Sequence, residues 1–132
     1  MLNIKGVIFD MDGLMIDTER HLIRFWCQAC KEFGYECTPE MIYPMRSMCS
    51  QYSIPKFKET FGQDFDVIAV RNRRIQLMKQ YISEHGVDKK KGLDELLTFL
   101  KDNNIKRAVA TATDYPRTEQ YLKSIGVFDM FD

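Results

Sequence analysis

The chain has 132 residues, enough for one ordinary domain or for two small modules that share a core. Lysine plus arginine and aspartate plus glutamate both number 19, so the zero formal net charge gives no global attraction toward nucleic acids or anionic membranes. The composition, 45% apolar and 29% charged, is that of a soluble globular protein, and no apolar run approaches the roughly 20 residues of a membrane span. No signal-peptide pattern precedes the first strand, so we expect a cytoplasmic protein. The neutral charge and the lack of a membrane span lead us to expect no nucleic-acid or membrane partner.

The first predicted element is a strand at Val7-Ile8-Phe9, a continuous apolar run that favours burial on both faces. Asp10 follows at its carboxyl end, where open α/β sheets place their ligands, and Gly13 allows the backbone to turn away. Strand alternation sends Asp10 and Asp12 the same way if the extended path persists. A divalent cation would relieve the repulsion between these carboxylates, and Mg²⁺ prefers oxygen ligands. The alternative is a turn in which the aspartates cap backbone amides.

From Asp17 the apolar spacing becomes helical, and no convincing strand occurs before residue 86. Thr, Pro and Gly residues mark the ends of four predicted helices. The first has Thr18 as its N-cap and ends at Gly34. The others cover residues 38 to about 48, 53–61 and 64 to about 86.

The cysteines lie at positions 27, 30, 37 and 49. Cys27 and Cys30 form a CxxC pair, but the surrounding pattern is helical and no second pair has zinc spacing. We therefore expect reduced thiols and assign them no function.

The last third of the chain returns to an α/β pattern. Residues 91–100 predict a turn and an amphipathic helix, and Lys106 to Ala110 predict a second buried strand with Thr111 at its carboxyl end. A helix is predicted at 116–124. From local chemistry alone, Thr111, Thr113 and Asp114 are N-cap candidates for that helix.

The N-terminal run KGVIFDMDGL resembles motif I of the haloacid dehalogenase superfamily, an apolar strand followed by DxDG. Its continuation, DGLMIDTE, is similar to the DGxxxDSE or DGxxxDTE of members that carry an inserted helical cap. The strand that ends at Thr111 resembles motif II. The resemblance implies an α/β fold, an incomplete Rossmann-like core at 1–16 and 87–132 with a four-helix cap inserted at 17–86.

The resemblance also implies roles for individual residues. Asp10 would be the nucleophile that forms an aspartyl phosphate, and Asp12 would be the general acid and base. Mg²⁺ would be bound by the Asp10 carboxylate and the Asp12 main-chain carbonyl. The Thr111 hydroxyl, with backbone N–H groups of Ala112 and Thr113, would hold a phosphoryl oxygen at a helix N-terminus.

The final twelve residues match the family's YLxxxGxxxxFD, whereas the strand, lysine and acidic motifs that follow in the family are not present in this sequence. We therefore expect a truncated chain, or one that associates with itself through an uncovered edge of its sheet.

The function implied is that of a phosphatase acting on a small phosphorylated metabolite. One alternative is a β-phosphoglucomutase-like transferase, but Leu22 stands where those members carry a histidine, and the GxxRxxS loop is absent near Met48. The other alternative is an inactive fragment or interaction module that retains some phosphate or cation affinity.

Overall fold

A computed structural model describes residues 3–132, which divide into two compact units. An α/β unit contains the residues up to Glu19 together with His85–Asp132, and a helical unit contains Arg20–Glu84. The mixed α/β architecture is confirmed, whereas the role of residues 17–86 as a cap stays a prediction.

The elements are β1 Gly6–Phe9, β2 Ile16–Asp17, α1 Glu19–Glu32, α2 Pro39–Ile42, a 3₁₀ turn Tyr43–Met45, α3 Ser50–Phe61, α4 Val67–His85, β3 Asp88–Lys89, α5 Leu93–Asp102, β4 Lys106–Val109, α6 Tyr115–Ser124 and a 3₁₀ turn Phe128–Met130.

The α/β unit is organised by the parallel pairing of β1 with β4, in which Phe9 lies opposite Val109. The pairing continues one residue further, because the Ala110 N–H donates to the Phe9 carbonyl at 2.8 Å. Both strands therefore end at the same edge, followed by Asp10 in one chain segment and Thr111 in the other.

The predicted burial of β1 on both faces is wrong. Phe9 is buried and meets the Phe131 ring edge-on at 5.9 Å between centroids, but Ile8 is 73% exposed. Alternation sends these two side chains to opposite faces, and within residues 3–132 only the Phe9 face is covered. The predicted burial of β4 fails in the same way, because Ala108 is exposed.

A second, smaller sheet was not predicted. In it β2 pairs antiparallel with β3, with Ile16 opposite Lys89, and the Lys90 N–H donates to the Met15 carbonyl at 2.8 Å. Each strand has two residues, too few for an alternating pattern to be detected in the sequence. The pairing brings together the two points at which the chain leaves the α/β unit and returns to it.

The helical unit contains the four predicted helices, and the largest difference in length is in the second. The helix predicted from Thr38 to about Met48 ends at Ile42 and continues only as the 3₁₀ turn. Pro44 lies in that turn and has no backbone N–H to continue an α-helical ladder. No helix of residues 3–132 is both long and apolar enough to cross a membrane.

Aromatic rings form the centre of the helical unit. Trp26 of α1 stacks on Phe57 of α3 with 4.5 Å between centroids, and Phe61 stacks on Phe65 at 4.7 Å. Tyr35, in the connection after α1, contacts the same Phe65 ring edge-on at 4.8 Å. Such ring pairs stabilise a core beyond the burial of their area, so they fix this connection against α3.

The leucines of α5 allow a matched test of the α/β core. Leu97 is 0% exposed and its neighbour Leu96 is 44% exposed. We expect Leu97→Ala to lower the free energy of unfolding by about 2–5 kcal/mol, because it leaves a cavity in packed surroundings. Leu96→Ala removes the same atoms from a largely solvated position and should change it by less than about 1 kcal/mol. Urea denaturation followed by circular dichroism measures both, and equal effects would contradict this description of the core.

Candidate active site

The site begins with Asp10, directly after β1. Its Oδ1 atom accepts a hydrogen bond from the Met11 N–H at 2.8 Å, and its side chain is exposed. Burial alternates along this segment, since Phe9 and Met11 are buried whereas Asp10 and Asp12 are exposed. The alternation matches the predicted continuation of the extended path through the DxD sequence.

The chain turns immediately after Asp12. Gly13 has φ +80°, a left-handed conformation that a residue with a Cβ rarely adopts. The Met11 carbonyl then accepts bonds from the N–H groups of Leu14 at 3.2 Å and Met15 at 2.9 Å. This turn fixes the backbone that carries Asp12.

Three hydroxyl groups converge on the Asp12 carboxylate. Thr18 Oγ1 donates to Oδ1 at 2.9 Å, and Thr113 Oγ1 donates to Oδ2 at 2.8 Å. Thr111 Oγ1 lies 3.4 Å from Oδ2, a longer and weaker contact, and itself accepts a bond from the Thr113 N–H at 3.1 Å. The structure therefore brings Asp12 together with Thr111 and Thr113, whose positions in the sequence are about a hundred residues away.

Sequence reasoning missed the part played by Thr18. It was predicted only as an N-cap of α1, but its buried hydroxyl bonds Asp12, six residues earlier. The available signal was its position within DGLMIDTE. A spacing of six matches neither helix nor strand periodicity, so only the turn at Gly13 makes the contact.

The predicted alternative roles of the threonines as helix caps are wrong, because Asp114 caps α6. Its carboxylate accepts the Arg117 N–H at 3.1 Å, and this bond, with the Arg117 guanidinium, holds the pKa of Asp114 below its usual value. Thr111 and Thr113 are directed to Asp12 instead. Ala112 lies between them in the same turn and is exposed.

A cavity of about 670 Å³ adjoins the two threonines at the carboxyl end of β4. Thr111 and Thr113 form part of its polar lining, whereas Leu122, Phe128 and Phe131 contribute apolar surface. Its volume falls in the range of small-molecule sites.

The predicted magnesium ligands can be compared with the donor atoms present. Residues 3–132 contain no cluster of three or more His, Cys, Asp or Glu side chains arranged to hold a metal ion. Asp10 and Asp12 offer only oxygen donors, the type that Mg²⁺ prefers, and this ion usually keeps waters and takes one or two carboxylates plus substrate phosphate. The donor set fits Mg²⁺ in kind and leaves most of the coordination to water and substrate.

His21 does not replace the histidine that is missing at Leu22. It is 6% exposed and its ring packs 4.8 Å from the Tyr81 ring inside the helical unit. His21 is therefore a core side chain of the helical unit.

Known proteins resemble the chain in sequence and in fold. Over 129 residues it is 24% identical to a phosphorylated carbohydrates phosphatase of Thermotoga maritima, a match that covers 98% of this chain and 59% of that protein. The crystal structure of CbbY from Rhodobacter sphaeroides in complex with phosphate has TM-score 0.78 at 19% identity, covering 98% of this chain and 62% of that one. For β-phosphoglucomutase from Clostridium difficile the TM-score is 0.77 at 21% identity, covering 98% and 60%.

The two structural matches show the fold, and the chain spans about three fifths of the length of these relatives. The haloacid dehalogenase-like hydrolase family matches residues 7–132, which confirms the resemblance drawn from the motifs. The chain belongs to the haloacid dehalogenase-like hydrolase family.

Proposed function

We propose that the chain carries the nucleophile and the acid–base half of a phosphatase that hydrolyses a small phosphorylated metabolite through an aspartyl phosphate. The observation that carries the proposal is the convergence of three hydroxyls on Asp12, two residues after Asp10, which directly follows β1. A carboxylate held this way has a defined position next to a second, exposed carboxylate. Positioning of this kind is what phosphoryl transfer requires of a protein.

In the first step the Asp10 carboxylate attacks the phosphorus atom. An oxygen–phosphorus bond forms to Asp10 while the bond to the departing alcohol breaks, so one difficult displacement becomes two easier ones. Asp10 is suited to this because it is exposed and its Oδ1 is oriented by the Met11 N–H.

Asp12 would protonate the leaving alkoxide and then take a proton from the water that hydrolyses the aspartyl phosphate. A hydroxyl group can either donate or accept a hydrogen bond. Thr18, Thr111 and Thr113 can therefore hold Asp12 in both protonation states that this cycle needs. The buried Thr18 keeps one carboxylate oxygen fixed while the other faces the two threonines after β4.

The phosphoryl group would lie against the turn of Thr111, Ala112 and Thr113, just before α6. Backbone N–H groups at the start of a helix favour an anion. The adjoining 670 Å³ cavity gives space beside this turn. Mg²⁺, held by the Asp10 carboxylate and the Asp12 carbonyl, would neutralise charge on the transferring group.

The substrate class proposed is a small phosphorylated metabolite, with a phosphorylated carbohydrate as the nearest guide, because the Thermotoga maritima relative is a phosphatase of phosphorylated carbohydrates. Residues 17–86 would act as the cap that excludes water and selects the substrate. The mutase alternative has no supporting side chain at Leu22. Free cysteines fit a reducing compartment such as the cytoplasm.

The nucleophile can be tested with Asp10→Asn, which keeps the shape and removes the attacking oxygen anion. With Mg²⁺ and an aryl phosphate, we expect phosphate release by the 132-residue chain to fall at least about 10³-fold, since a covalent step is lost. Asp102→Asn, a carboxylate in the last turn of α5, is the matched control and should retain the original rate.

Phosphate release that is equal in the Asp10→Asn and original chains contradicts the nucleophile. If the original chain releases no phosphate, then the 132 residues do not contain a complete active site. Calorimetric titration with Mg²⁺ then distinguishes the alternatives, because an interaction module with cation affinity would bind Mg²⁺ and lose that affinity in Asp10→Asn.

The hydroxyl contact to Asp12 can be tested with Thr113→Val, which keeps the side-chain volume and removes the 2.8 Å donor. A hydrogen bond to a charged group contributes about 1.5–3 kcal/mol, so we expect phosphate release to fall roughly 10–100-fold. Thr98→Val, on the exposed side of α5, is the control and should change the rate less than about twofold. A Thr113→Val chain as active as the original would show that Asp12 does not depend on this hydroxyl.

A further inference from the structure

Three of the four cysteines lie together in the helical unit, although they are spread over eleven positions of sequence. Cys27 and Cys30 are one turn apart on α1, and Cys37 lies just before α2. The Cys37 thiol donates to the Cys27 sulfur at 3.0 Å. All are free thiols, and Cys49 is exposed.

The local fold holds Cys37 against α1. After the helix ends, Gly34 adopts φ +86°, and the Tyr35 N–H donates to the Cys30 carbonyl at 3.0 Å, which reverses the chain. The Tyr35 ring is packed on Phe65. The helix cap at Gly34 and the packed Tyr35 ring both lie between Cys27 and Cys37 in the sequence. Together they hold the two sulfurs in contact.

Small molecules can reach this contact. Cys27 and Cys37 line a cavity of about 510 Å³ together with Lys31 and Glu36, and both cysteines are half-buried. Cys30 is 0% exposed and does not line the cavity. Access therefore distinguishes the contacting pair from the third thiol.

We propose that Cys27 and Cys37 form a reversible oxidation site, at which a hydroperoxide converts the two thiols into an intramolecular disulfide. This inference is independent of the proposed phosphatase activity, because it depends only on the helical unit. It also differs from the CxxC pairing that the sequence alone offers, since the sulfur in contact with Cys27 belongs to Cys37 and comes from a separate segment.

The chemistry takes place in two steps. The Cys27 thiolate attacks the outer oxygen of the peroxide; a sulfur–oxygen bond forms, the oxygen–oxygen bond breaks, and the departing hydroxide takes a proton to become water. Cys37 then attacks the sulfenic sulfur of Cys27, forming the sulfur–sulfur bond, and its proton leaves with the hydroxyl as a second water. Overall two thiols lose two electrons and the peroxide gains them.

The surroundings support this assignment of roles. Cys27 is assigned as the attacking sulfur because its sulfur accepts the hydrogen bond from the Cys37 thiol and because the Lys31 ammonium, one helical turn away, lines the same cavity. Burial raises the pKa of Cys30 to about 11 and also raises the pKa of Cys37. A disulfide needs a sulfur–sulfur distance of about 2.05 Å, so the contacting atoms must approach by only about 1 Å.

Trypsin separates the two sulfurs because Lys31 lies between them. Cleavage gives one peptide at 25–31, with Cys27 and Cys30, and another at 32–46, with Cys37. After treatment of the folded chain with hydrogen peroxide and blocking of residual thiols, we expect mass spectrometry to find these peptides joined. The link should vanish on reduction and should form about tenfold faster in the folded chain than in guanidinium, since the fold holds the sulfurs in place.

Matched variants assign the partners. Cys27→Ser and Cys37→Ser should abolish the joined peptides, whereas Cys30→Ala and Cys49→Ser should retain them, with circular dichroism checking that each variant is folded. The proposal is overturned if the link survives in folded Cys27→Ser. It also fails if the link forms no faster in the folded than in the unfolded chain, or if Cys49 is oxidised while Cys27 and Cys37 remain open to alkylation.

Discussion

The parallel pairing of β1 with β4 is the constraint on which the site depends. It joins positions 100 residues apart, Phe9 and Val109, and closing a flexible loop of roughly that length costs about 4 kcal/mol by the logarithmic closure relation. The short β2–β3 pair reduces this cost of loop closure, because it joins Asp17, where the chain leaves the α/β unit, to Asp88, where it returns. The residues between them form a compact unit of their own, so β4 meets β1 after a far shorter effective loop than the sequence separation indicates.

The same pairing explains why Asp12 has partners from two distant segments. Once β1 and β4 end at one edge, the residues after each strand are neighbours, and the turn at Gly13 brings Thr18 back to the same carboxylate. One oxygen of Asp12 is bonded by a residue close in sequence and the other by residues beyond β4. Asp12 therefore links both halves of the α/β unit, and its position depends on the fold as a whole.

Much of the fold could be predicted from the sequence because its signals are local. The helix ends at Gly34 and Gly62 and the strands before Asp10 and Thr111 are set by residue type and spacing. Other features depend on what packs where, which periodicity does not encode. The apolar Ile8 shows this, since a run of three apolar residues predicted two buried faces and only one is covered within residues 3–132.

The residues of the candidate site also divide into those with a local sequence signal and those whose role depends on the fold. Asp10 and Asp12 could be found from a motif, but the hydrogen bonds of Thr18, Thr111 and Thr113 could not, because each depends on a turn or on a pairing of distant strands. The N-cap of α6 shows the same contrast between local and distant signals. Local chemistry offered three candidates for the cap. Asp114 directly precedes Tyr115 and accepts the Arg117 N–H, whereas Thr111 and Thr113 donate to the distant Asp12.

For the thiols, the local sequence signal indicates a different pair from the one that the fold brings into contact. The CxxC spacing of Cys27 and Cys30 is the obvious local signal, yet helical geometry leaves Cys30 buried, whereas the reversal at Gly34 brings Cys37 to the accessible side of Cys27. Reactivity depends on access and on contact, and both are properties of the folded chain. The residue pair that matters is therefore defined by the turn between two segments, as it is at Asp12 and Thr18.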